Sequence, residues 1–145
     1  MVVIQNSIND VSIDEKNLLD TLQKVIADLN KGESELLIRL VDKNEIQDLN
    51  KTYRGKNKLT NVLSFPSDLP IEIEEAILGD VVICIEVVRE EAEAQRKRFE
   101  HHLTHMAIHG VLHLLNYDHI EDGEAEMMES LEVRILDRLG INNPY

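Results

Sequence analysis

Residues 109–119, HGVLHLLNYDH, constrain this chain more than any other stretch. His109 and His113 are four apart, which on a helix stacks both imidazoles on one face, one turn apart. His119 comes six residues later, too far for that face but within reach if the helix ends near Leu115 and the chain turns back. Asn116 stands at the expected turn, and after Gly it is Asn that best tolerates the left-handed conformation that closes a helix. Three imidazoles then converge on one point and leave a fourth position open, the arrangement of a catalytic rather than a structural zinc. The expected ligands are His109, His113 and His119, holding one Zn²⁺ per chain.

The other histidines fit that ion less well. His105 lies one turn before His109, but it is about 12 Å from His113 along the axis at ~1.5 Å rise per residue. One ion with ~2 Å bonds cannot take both. His101, His102 and His105 are read as structural or rim side chains. The spacing H-x3-H-x5-H is also that of the metzincin proteases, which carry a Glu general base directly after the first His. Gly110 stands there instead, and Asn116 stands at their Gly. The metal geometry survives that comparison and the protease chemistry does not.

At 145 residues the chain is expected to form one domain, 1–145. It has no apolar run long enough to span a membrane and no signal-peptide pattern at its start. A single cysteine, Cys84, fits a reducing cytoplasm, so the expected location is cytoplasmic. The net charge of −13 argues at first against nucleic acid, but net charge does not describe a cleft. Residues 51–58, KTYRGKNK, hold four basic residues and no acid, and Arg89, Arg96, Lys97 and Arg98 form a second basic cluster.

Taken in order, 2–4 reads as a strand. Ser12 with Glu15 makes a capping-box pattern, followed by a helix with Leu18, Leu19, Leu22, Val25, Ile26 and Leu29 on one stripe and Gly32 at its end. Residues 35–41 read as a strand parallel to the first. Asp42 and Glu45 cap a short helix carrying Ile46 and Leu49. Residues 60–65 read as a strand, 67–76 as an acidic connection, and 77–85 as an apolar central strand antiparallel to 60–65. The helical pattern from 86 to 115 is expected to break near 96–99. A last helix, with Asp122 as its cap, carries Met127, Leu131, Ile135 and Leu139 inward and ends at Gly140. Its acidic residues, Glu132 among them, read as a solvated outer face. The fold expected is α+β: a small mixed four-stranded sheet with about five helices and the metal site at the end of a histidine-bearing helix.

Two stretches, YRGKNKLTNVLSFP at 53–66 and HGVLHLLNYDH at 109–119, with LGDVVI at 78–83 between them, resemble the bacterial YbeY endoribonuclease family. The resemblance covers nearly the whole chain. It implies a small metalloprotein acting on single-stranded RNA in ribosomal RNA maturation and ribosome quality control, with the small ribosomal subunit as partner and no DNA substrate. It places the zinc ligands on His109, His113 and His119 and a functional arginine on Arg54. The chain departs from the family pattern twice: Asn116 stands where Gly is usual, and Asn61 where Asp is usual.

The residues themselves point the same way. Phosphodiester cleavage develops charge on non-bridging oxygens, which a planar guanidinium grips two at a time. Zinc can polarise the phosphate or activate water. Lys51, Lys56 and Lys58 would attract the backbone of a single strand. Aromatic residues make up only 3%, so sequence readout is expected to be weak. The attacking group is either water or the RNA's own 2′-hydroxyl. Two competing functions remain at this point: a metal-dependent hydrolase of another class (protease or amidase), and a non-catalytic assembly factor braced by zinc.

Overall fold

A computed structural model describes residues 1–67, 77–115 and 122–145, giving only the backbone at 122 and 124. Asn116, His119, the capping by Asp122 and most of the acidic connection therefore lie outside the described residues. The elements are β1 (Val2–Asn6), α1 (Glu15–Asp28), β2 (Glu35–Val41), α2 (Lys43–Arg54), β3 (Val62–Pro66), β4 (Ile77–Cys84), α3 (Ile85–Ala94), α4 (Phe99–Leu114) and α5 (Asp122–Arg138).

The four strands form one mixed sheet in the order β1-β2-β4-β3. β1 and β4 both run parallel to β2, and β3 runs antiparallel to β4. β4 is the apolar run, and Val81, Val82, Ile83 and Cys84 on it are wholly buried. It can be apolar on both faces because both are covered. One face meets α1, α4 and α5 through Leu22, Ile26, Ile38, Val81, Ile83, Ile108, Leu112 and Met128. The opposite face carries a smaller cluster of Val41, Ile46, Val82 and Cys84, closed by α2.

Local signals decide most boundaries. The Asp42 carboxylate accepts from the Glu45 amide at 2.8 Å and caps α2, as the sequence suggested. At its far end Gly55 adopts φ 67°, the left-handed conformation that glycine takes without cost. Arg54 is thus the last residue of a helix, held at the mouth of the loop that leads into β3. The long helical pattern breaks where expected, between Ala94 and Phe99, with Arg96 at φ 55°.

Three expectations need correction. Asp14, not Ser12, caps α1, accepting from the Asn17 amide at 3.0 Å. Ser12 gives its amide and hydroxyl to Asp10 instead. The turn after α1 uses Asn30 at φ 63°, so the helix ends before Gly32. On α5 the inward stripe is wider than the sequence reading: Leu131, Ile135 and Leu139 pack on the core as expected, but Met127 does not. Met128, Glu132, Ile135 and Leu136 face inward and Met127 is exposed. Glu132, read as solvated, has no exposed surface at all.

Candidate metal centre and nucleic-acid cleft

Helix α4 carries the histidines across the sheet at close range. A Cβ on Gly110 would lie 2.5 Å from Val81 Cγ1 and 3.2 Å from Ser64 Oγ, so only glycine fits between helix and strand. The Ser64 hydroxyl donates to the Gly110 carbonyl at 2.8 Å and ties β3 to the same helix turn. A Glu at this position would face the sheet, not a substrate. The position that serves as general base in metzincins is thus sterically closed here.

His109 and His113 project from α4 on the side of β3. Their Nε2 atoms lie 3.0 Å apart. Two tetrahedral ligands with ~2.0–2.1 Å bonds to one ion would be about 3.3 Å apart, so the spacing fits a shared ion. The other nitrogen of His109, Nδ1, is 2.5 Å from Glu132 Oε1. The second oxygen of Glu132 accepts from His105 Nε2 at 2.8 Å and from the Tyr145 hydroxyl. Burial works to raise the Glu132 pKa, but the bonds from His105, His109 and Tyr145 outweigh it and hold the value at about 2. Burial, and then the carboxylate beside it, push the Tyr145 hydroxyl well above its ordinary range. His105, His109 and Glu132 form a group that could hold a metal ion. Glu132 is fully buried and His105 only 6% exposed, with His105 and His109 lining a second cavity of about 370 Å³ beside Tyr145, whereas the His109–His113 pair opens onto a larger cleft.

That cleft has a volume of about 610 Å³. Arg54 and Lys56 line it together with Asn61, Ser64, His109 and His113. Its lining, among the described residues, contains two cations and no carboxylate, in a chain whose net charge is −13. A guanidinium nitrogen of Arg54 donates to the Ser64 carbonyl, and its Cζ lies 5.5 Å from the Phe65 ring centroid. Arg54 is thereby steered on its inner side while remaining exposed. Lys51 and Lys58 are exposed but do not line the cleft. Asn61 donates its amide to both oxygens of Glu91, at 3.1 and 3.3 Å, and Glu91 also meets His102 Nε2 at 3.1 Å. An Asp at 61 would set two carboxylates against each other, so Asn is the residue that satisfies Glu91 here. Burial lowers the His102 pKa. Burial also pushes the Cys84 thiol up, which removes it as a nucleophile.

The family model for Endoribonuclease YbeY matches residues 3–140. The chain belongs to the YbeY endoribonuclease family. Its relatives of that name include a protein of Ruthia magnifica subsp. Calyptogena magnifica, 66% identical over 145 residues, and one of Vesicomyosocius okutanii subsp. Calyptogena okutanii, 61% identical over 145 residues. In both comparisons the whole of each chain is covered. A solution structure of a Thermotoga maritima protein is similar with a TM-score of 0.64 at 27% identity, covering 97% of this chain and 92% of that one. The α+β family fold and the histidine cluster near a helix end stand as the sequence suggested.

Sequence reasoning missed Glu132 and Tyr145. The signal for Glu132 was available: it lies four residues from both Met128 and Leu136, the fully buried stripe of α5. Tyr145, on the segment after α5, carried no local pattern. His105, read as a structural or rim side chain, is a buried one. It supports the same carboxylate as His109.

Proposed function

We propose that the protein is a zinc-dependent endoribonuclease that cuts single-stranded RNA during ribosomal RNA maturation and ribosome quality control, acting in the cytoplasm on or near the small ribosomal subunit. The observation that carries this reading is the cleft. Two convergent imidazoles stand on one wall, Arg54 and Lys56 line the same space, and its described lining has no acid to repel a phosphate backbone. Family membership supplies the substrate class. Among the described residues, no helix is long and apolar enough to cross a membrane.

His109 and His113, with His119, would hold the zinc. Bound there, zinc supplies a Lewis acid for the scissile phosphate. Arg54 grips non-bridging oxygens with two N–H groups, its outer edge left available while the Ser64 carbonyl fixes its inner edge. Lys56 adds long-range attraction for the strand. The Ser64 hydroxyl, bonded to the Gly110 carbonyl, keeps the Arg54 support and the histidine helix in one register. The few aromatic residues give little base readout.

The test is metal content and cleavage of a defined single-stranded RNA by wild type, His113→Ala and Arg54→Lys. His113→Ala should lose both metal and cleavage. Arg54→Lys should keep its metal, bind RNA nearly as well, and cleave roughly 10²–10³-fold more slowly, because a donor to developing charge is lost. Normal cleavage by either variant would refute the assignment.

A further inference from the structure

We infer that Glu132 is a positioning residue for the metal: its buried carboxylate holds His109 in the form protonated at Nδ1 and so turns Nε2 towards His113. This rests on the reading of His109 and His113 as ligands. A carboxylate only accepts hydrogen bonds, so at 2.5 Å from Glu132 Oε1 the His109 Nδ1 must carry the proton. In a neutral ring the other nitrogen is then a lone pair. That lone pair, on Nε2, lies 3.0 Å from His113 Nε2 at the cleft wall. Without Glu132 the ring is free to protonate Nε2 and block its own ligand atom.

The surroundings keep Glu132 in that role. It has no exposed surface, and both oxygens are engaged, one by His109 and the other by His105 Nε2 and the Tyr145 hydroxyl. His105 Nδ1 has no partner among the described residues, so a proton there would be a buried, unsatisfied donor. The His105 proton that finds a partner is the one on Nε2, donated to Glu132 Oε2 at 2.8 Å. The Tyr145 ring packs edge-on against His105, with centroids 5.6 Å apart, and Lys97 Nζ donates to the Pro144 carbonyl at 3.0 Å. Residues 144–145 thus close the carboxylate off from solvent. Such outer carboxylates commonly change metal affinity by about 10–100-fold when removed.

The same three groups, His105, His109 and Glu132, would use His109 differently if they bound the ion themselves, through Nδ1 instead of Nε2. NMR separates the two uses. In full-length, ¹⁵N-labelled protein loaded with ¹¹³Cd, the cadmium–nitrogen coupling of His109 should fall on Nε2, with Nδ1 still bearing its proton. Coupling on Nδ1 would overturn the inference, and this measurement needs no variant. Zinc affinity of Glu132→Gln, measured by chelator competition, should drop about 10–100-fold. His113→Ala in parallel tests the underlying reading. If His113→Ala keeps its zinc, the ligand assignment has failed. If His113→Ala loses zinc while a folded Glu132→Gln binds it as wild type does, the positioning role alone has failed.

Discussion

Gly110 gives the sharpest test of how the site is built. In Gly110→Ala the new Cβ would sit 2.5 Å from Val81 Cγ1 and 3.1 Å from Cγ2, against an optimum of about 3.5–4.0 Å for carbon pairs. Val81 is fully buried, and a valine side chain is stiff about χ1, so it cannot swing aside. Helix α4 must therefore lift from β4 by roughly 1 Å or strain in place, at a typical overpacking cost of about 1–3 kcal/mol. The Ser64–Gly110 bond of 2.8 Å stretches with it, for about 1 kcal/mol more. Against this, Ala gains about 0.8–1.0 kcal/mol over Gly in a helix interior. The expected net loss is about 1–3 kcal/mol, or a Tm lower by roughly 2–4 °C per kcal/mol. Urea denaturation at fixed free zinc measures it. The decisive arm is the Val81→Ala background, where both Cγ atoms are gone. There Gly110→Ala should cost nothing or stabilise by up to about 1 kcal/mol, a coupling of at least ~1 kcal/mol between the two sites. Equal destabilisation in both backgrounds would show that the close approach to Val81 is not what excludes a side chain at 110.

Three further outcomes are expected. Because burial holds the His102 pKa below 6.5, the unfolded chain takes up that proton first as pH falls; stability should decline below pH ~6.5, and His102→Gln should flatten that part of a pH–stability curve. Lys56→Ala should weaken RNA binding at every sequence and reduce the slope of log affinity against log salt by roughly 0.7, read by fluorescence anisotropy. Asn61→Asp should lower stability at neutral pH relative to pH 4, as the new carboxylate meets Glu91 at hydrogen-bond range, and a melting series across pH would show no such dependence if Glu91 swings away.

Much of the fold was legible because single residues carried it. The apolar run of β4 announced a strand covered on both faces, and Asp42 with Glu45 announced the start of α2. The histidine spacing on α4 survived intact because four residues on a helix span just over one turn whatever the surroundings. What failed were choices between near-equal neighbours. Asp14 and Ser12 compete for one cap, and Asn30 and Gly32 for one turn; only the tertiary partners of Asp10 and the packing of α1 decide. The largest miss came from the width of one stripe. On α5, apolar residues at 127, 128, 131, 135, 136 and 139 admit two stripes about 100° apart. Both pack on the core from Met128 onward, and reading only one put Glu132 in water, although its partners lie on α4 and at Tyr145, distant in sequence. The lysines illustrate the converse: charge density in 51–58 was visible, but which side chains face the cleft depends on how the loop after Gly55 runs.

The strand order also governs how the chain can assemble as it leaves the ribosome. The first 67 residues already contain β1, β2 and β3, yet among these only β1 and β2 are neighbours. The place between β2 and β3 is reserved for β4, which is made later. Until it arrives, β2 has an open edge and β3 has no strand to pair with, a state that favours waiting or mispairing over stepwise growth. Helix α4, which brings His109 and His113, packs on β3 and β4 and can dock only after that insertion. Sheet closure and the shaping of the metal centre are thus a single late event in the life of a newly made chain. A nascent chain released before β4 emerges would have neither.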